Sequence, residues 1–205
     1  MLSAQVIVEL QDKLTGQWHE AGEPGTKVAG PEVADAWLKA VAAQHRANFD
    51  LWHIEDEART PDATDAKIAG VKHRIDRTNQ LRNDLVEELD RALLAWLEER
   101  GLPKADAPLN SESPGLMIDR LSILALKIYH TREEVERKSA PAHHAELNRS
   151  RLQILEEQRR DLADCLDALW DDTLGGRRRF KLYRQLKMYN DPQLNPAIYG
   201  KSGGS

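Results

Sequence analysis

The sequence predicts an all-α fold: an antiparallel bundle of four long helices, with a short helix before it and a basic helix after it. Three observations predict it. Apolar residues recur at three- and four-residue intervals over four long stretches, as one face of a helix requires. Proline, glycine and small polar residues punctuate the chain between those stretches. No alternation of apolar and polar residues runs long enough for a strand. The 205 residues fit one domain, read as 1–192 for the bundle with 193–205 as a loosely held tail.

Residues 3–19 place Ile7, Leu10, Leu14 and Trp18 on one helical face, and Gly22-Glu23-Pro24-Gly25 ends this short helix. The first long helix runs from Pro31, where a missing N–H costs nothing, to Arg59, and Pro61 stops it. Its apolar stripe is Ala34, Trp37, Val41 and Trp52. Asp62 or Thr64 caps the second long helix, which reaches Glu99 before Gly101 and Pro103. Residues 102–113 form the longest internal connection. Ser113 and Pro114 read as cap and first residue of the third long helix, ending near Lys138. The fourth starts after Pro141 and runs to Thr173, closed by Gly175-Gly176. Arg177 to Tyr189 is predicted as the basic helix.

A weak repeat runs through the four long helices. Trp52, His53 and Glu57 match Tyr129, His130 and Glu134 at an offset of 77 residues. At the same offset Arg82, Asp84, Leu85, Leu89 and Asp90 match Arg159, Asp161, Leu162, Leu166 and Asp167. If this is a duplication, two hairpins pack as a pseudo-two-fold bundle.

Hydrophobic residues make up 40% of the chain and charged residues 31%, a composition of helices with broad solvated faces. A net charge of −5 argues against general nucleic-acid binding. Cys165 is the only cysteine, which excludes an intrachain disulfide and a cysteine-based zinc site. The short Val6–Leu10 run, followed by Gln11 and Asp12, does not read as an export signal, and the most apolar run, Leu116 to Tyr129, is too short for a bilayer, which takes ~20 apolar residues. These features predict a cytoplasmic protein with no transmembrane segment.

Polar residues on apolar faces mark where chemistry could sit. On the first long helix His45, Asn48, Glu55, Asp56 and Arg59 fall on or beside the apolar stripe. On the second, Thr78, Asn79 and Arg82 do the same, while Asp84 turns outward. On the fourth, Asn148 and Arg159 lie on the Leu152/Leu155/Leu166 face. A guanidinium on such a face needs an acceptor. Two answers are open: a structural polar layer that sets helix register, or a pocket for an anionic ligand. Both predict buried arginines, and only the second predicts a cavity.

The third long helix is apolar over most of its circumference, through Met117, Ile118, Leu121, Leu124, Ala125, Ile128 and Tyr129. Neighbours are therefore expected on most sides. Asp119, Lys127 and His130 either line a partly closed site there or pair at its rim. His53/Glu57 and His130/Glu134 have the one-turn spacing of shared metal ligands, but both histidines point away from their helices' apolar centres. No metal is favoured, the sequence leaves any cofactor unknown, and no nucleophile or phosphate-loop motif is recognisable. The basic end, with Arg184 and Lys187, suits phosphate contacts or self-docking.

Several segments carry a family resemblance: Leu51-Trp52-His53-Ile54-Glu55-Asp56-Glu57-Ala58-Arg59; Ile75 to Asp84 with its Arg77-Thr78-Asn79-Gln80-Leu81-Arg82; Asn110-Ser111-Glu112-Ser113-Pro114-Gly115; Ile118 to His130; and Tyr183 to Pro192. Together they resemble domain-of-unknown-function family 4254, a bacterial family of uncharacterised helical proteins. Ser113 and Leu186 stand where that family's pattern has Thr and Phe. The resemblance implies a bacterial cytosolic protein associated with glycosyltransferases of cell-envelope glycan assembly, and it assigns no catalytic residue.

The expected function is recognition of an anionic ligand, a phosphorylated sugar or nucleotide-sugar. Arg82, Arg159, Asn48, Asn79, Glu55 and His45 would form its central cluster. Asp119, Lys127, His130, Arg184 and Lys187 would add contacts from the third long helix and the basic end. If catalysis occurs, His130 is the candidate acid or base. The alternatives are a non-enzymatic module docking on a glycosyltransferase or on itself, and a metal-dependent phosphohydrolase.

Overall fold

The structure, a computed structural model, describes residues 2–21, 35–61 and 63–184. Among the described residues five helices are present: α1 (Ala4–Glu20), α2 (Ala36–Ala58), α3 (Asp65–Glu98), α4 (Pro114–Glu136) and α5 (Ala142–Leu174). Local chemistry sets their ends. Thr64 accepts from the Lys67 amide at the start of α3, and Ser113 accepts from Leu116 with Pro114 in the first turn of α4. Gly176, at φ 69°, turns the chain out of α5. The expected start of α2 at Pro31, the alternative cap Asp62 and the tail 193–205 lie outside the described residues.

One expected element is corrected. Residues 177–184, the described part of the predicted basic helix, are not helical. They run extended along the loop before α4: the Arg179 amide donates to the Pro108 carbonyl at 3.0 Å, and Asn110 N donates back to the Arg179 carbonyl at 2.7 Å. Phe180 is buried in the main core. Anchoring one aromatic and pairing the backbone overrides the segment's helical spacing, which offered no apolar face to bury.

α4 packs against all four other helices, as its nearly complete apolar circumference requires. Residues 44, 45 and 48 of α2 meet 119 and 122 of α4, while 52 and 53 meet 130, so α2 and α4 run parallel. α1 runs the same way, with Gln11 reaching the Ile118 carbonyl and His19 stacking on Tyr129. α3 and α5 run antiparallel to this trio. Ile7, Val41, Leu89, Ile118, Leu121 and Leu166 fill the main core, and Leu14, Trp18, Phe49 and Leu126 form a second apolar layer.

The sequence repeat has a structural counterpart. The α2–α3 hairpin pairs helices of 23 and 34 residues, and α4–α5 pairs 23 and 33. His45 and Ser122, 77 residues apart, touch each other, as do His53 and His130 at the same offset.

Candidate functional site

Asp119 is the hub of a buried polar layer between α1, α2, α3 and α4. Its carboxylate accepts from Gln44 Nε2 at 2.6 Å, Asn48 Nδ2 at 3.0 Å and Arg82 Nε at 2.7 Å, and a second Arg82 bond joins Nη2 to Oδ2. That two-pronged bond answers the arginine on the apolar face of α3. It holds the guanidinium pKa above its ordinary value, against the opposing effect of burial. Arg82 therefore closes on a carboxylate.

His45 extends the layer. The Thr15 hydroxyl donates to the Gln11 carbonyl, so it accepts from His45 Nε2 at 2.9 Å, and Ser122 supplies the donor for Nδ1 at 2.7 Å. Both ring nitrogens of this fully buried imidazole are satisfied in its neutral form. Burial pushes its pKa down to about 3. His45 is thus a structural member of the layer.

Arg159 stands apart from this cluster. It pairs with Asp12 of α1 at 2.7 Å. Arg82 and Arg159 nevertheless do equivalent work. Eight residues after Arg82, Asp90 accepts from the Gly115 amide at 2.7 Å and from the Ser113 hydroxyl, holding the start of α4. Eight residues after Arg159, Asp167 accepts from the Ala4 amide at 2.8 Å and holds the start of α1. Each long helix thus seats a neighbour by its N-terminus and by one carboxylate further along.

The other expected contacts disperse. Glu55 is paired with Arg59 at 3.4 Å and joins Asn48, Trp52 and Arg82 around a depression of about 260 Å³. Asn79 is half-buried on α3 and outside that lining. Arg184 is exposed in the extended segment, and Lys187 lies outside the described residues.

Lys127 sits in the groove between α4 and α5, where two depressions adjoin. The larger, about 640 Å³, is walled by Arg120, Ile123, Leu124 and Asp161, with Cys165 exposed at its edge. The smaller, about 420 Å³, is walled by Trp52, His130, Arg151 and Leu155. Lys127 and Gln158 belong to both.

At one end of the parallel trio three histidines converge: His19 of α1, His53 of α2 and His130 of α4. His19 Nδ1 donates to the Thr15 carbonyl at 2.7 Å and His53 Nδ1 to the Phe49 carbonyl at 2.8 Å. His130 Nδ1 meets the Glu133 carboxylate at 2.8 Å. Tyr129 stacks on His19 at 4.2 Å, and Trp52 stacks on His130 at 4.9 Å. Burial lowers the His19 pKa, reinforced by the neighbouring imidazoles and opposed by the Thr15 hydrogen bond. Burial also raises the Tyr129 pKa, with Glu133 and Glu20 adding to the effect.

The helical wheel treated His53 and His130 as facing away from the core because it considered each helix without α1. The signal for the missing partner is an aromatic–histidine dipeptide in all three helices: Trp18-His19, Trp52-His53 and Tyr129-His130. The carboxylates one turn from the last two are engaged elsewhere, Glu57 with Arg74 and Glu134 with Arg137 and His144. Gln44 and Ser122, both buried, were also missed; their contribution depends on which helix faces them.

Among the described residues, no helix is long and apolar enough to cross a membrane. No curated protein and no solved structure matches the chain. The match to a protein family spans residues 38–182, from α2 through the buried Phe180, and so covers both hairpins and their share of the polar layer. On that match the chain belongs to the family described as "Protein of unknown function (DUF4254)".

Proposed function

We propose that the protein binds an anionic ligand, a phosphorylated sugar or nucleotide-sugar, in the groove between α4 and α5, serving cell-envelope glycan assembly in a bacterial cytoplasm. The observation that carries this reading is Lys127. Its ammonium group makes no ion pair with any described residue and belongs to both adjoining depressions. Their volumes, about 640 and 420 Å³, fall in the range of small-molecule sites, ~300–1,000 Å³. A compact unpaired ammonium suits a phosphate, while Trp52, Ile123 and Leu124 offer apolar wall to a sugar or base. Arg82 and Arg159 act in this reading as scaffold, because their guanidinium groups already hold carboxylates.

A thermal-shift panel of sugar nucleotides and sugar phosphates tests the reading. Saturable stabilisation of the wild type is expected, with Lys127→Ala binding about tenfold weaker, a loss of ~1.4 kcal/mol. The variant should stay folded, since Lys127 is exposed. Absence of any shift across the panel would sink the idea.

A second reading, a module that docks on a glycosyltransferase or on its own copy, is favoured by Leu147 and Ile154. They are 48% and 55% exposed, two turns apart on α5, with Ile154 at the rim of the smaller depression. Concentration-dependent self-association, or co-purification with a glycosyltransferase, abolished by Ile154→Glu and unaccompanied by small-molecule binding would favour it.

A further inference from the structure

We propose that His19, His53 and His130 form a binding site for a divalent transition-metal ion of the zinc type, with one coordination position left to water or a bound molecule. The donor atoms of the three imidazoles lie within 4.8 Å of one another. Their ring centres are 5.0, 5.2 and 5.9 Å apart. Around a tetrahedral ion with metal–nitrogen bonds of ~2.0–2.1 Å, imidazole centres fall ~5 Å apart. The rings thus already stand near the spacing a shared ion imposes.

The hydrogen bonds set which nitrogen is available. A carbonyl or carboxylate oxygen only accepts, so in the neutral form of all three rings Nδ1 carries the proton and Nε2 offers its lone pair. Histidines that hold metals are oriented in this way, with the second nitrogen donating to a carbonyl or a carboxylate. Nε2 of His19 and of His130 is buried and has no hydrogen-bond partner among the described residues. An aromatic packing cluster would leave those two lone pairs unanswered, which protein interiors avoid. A cation answers both at once.

The surroundings suit positive charge. Glu133 supports His130, and His19 lies in the last turn of α1, at the negative end of that helix. An all-imidazole set selects zinc, copper, nickel or cobalt over magnesium and calcium, which take oxygen ligands. Three protein ligands, with no fourth among the described residues, is the pattern of an exchangeable or catalytic centre, not of a closed structural one. His130 also lines the smaller groove depression, which places the centre beside that space.

The site stands independently of the groove reading, and its test uses no organic ligand. Tag-free full-length protein, stripped with a chelator, is titrated with Co²⁺ and Zn²⁺. One equivalent of Co²⁺ is expected to give the intense visible absorption of a tetrahedral or five-coordinate ion, bleached by Zn²⁺ and untouched by Mg²⁺. His53→Gln should abolish the band, Glu133→Gln should weaken binding ~10-fold or more, and the exposed His143→Ala should leave it unchanged. Circular dichroism establishes that each variant is folded, and the wild-type titration does not depend on any variant. A folded wild type that gives no such band, or a band that survives in His19→Gln, His53→Gln and His130→Gln alike, would overturn the proposal.

Discussion

At His45 the folded chain holds a neutral imidazole, with its pKa pushed by burial from 6.5 to about 3. The unfolded chain takes up that proton first, so the contribution is complete above pH ~6.5 and lost as pH falls towards ~3. Asp90 has the opposite sense. Burial, outweighing the bonds from Ser113 and Gly115, raises its pKa from 3.8 to about 6. Its contribution is complete below pH ~3.8 and lost as pH rises through ~6. Over the window between, the two groups oppose each other. Asp90→Asn removes one slope, so urea midpoints should fall more steeply towards acid in the variant than in wild type. The difference across the window is on the order of 2–3 kcal/mol; parallel curves would contradict the assignment. Of this chemistry the sequence disclosed the inward side of Arg82 and His45, because a helical wheel depends only on spacing. It did not disclose Asp119 as the acceptor: that requires knowing which helix stands opposite.

Helix ends were legible for a related reason. Thr64, Ser113-Pro114 and Gly175-Gly176 act within a few residues of themselves, and the ends of α3, α4 and α5 fall where those residues imply. The segment after α5 was misread because its fate depends on distant parts of the chain: Arg179 pairs with the backbone near residue 108, and Phe180 enters the main core. Gly115 shows how closely α3 and α4 are seated. A Cβ there would lie 2.7 Å from the Val86 carbonyl oxygen and 2.8 Å from the Asp90 carboxylate. Gly115→Ala is expected to cost roughly 1–3 kcal/mol through overpacking against backbone. Gly16, where a Cβ meets nothing within 4 Å, provides the contrast: Ala there should stabilise α1 by ~0.5–1 kcal/mol. Chemical denaturation of the two variants gives both numbers, and equal signs would refute this account.

At the scale of the molecule, α1 is a structural member that the family match, beginning at residue 38, leaves out. It brings Thr15 to His45, Asp12 to Arg159 and Leu14 and Trp18 to the second apolar layer. A chain lacking residues 1–21 is therefore expected to lose cooperative unfolding and bind a hydrophobic dye, while keeping much of its far-ultraviolet helix signal. Retention of a sharp thermal transition would show α1 to be dispensable. The sequence showed α1 as a helix with one apolar face, but nothing local tells that this face closes the trio.

The seat of α1 on α5 also sets an order in time. Asp12 and Arg159 are 147 residues apart and Ala4 and Asp167 are 163 apart, so these contacts are among the most distant along the chain. During synthesis α1 is made before α2, α3 and α4, and waits through all three until α5 arrives. Closing so long a loop is an entropic burden that local helix formation does not bear. Until α5 is made, the carboxylate of Asp12 and the amide of Ala4 are without those partners. α1, made well before α5, is locked in place only once α5 has been made.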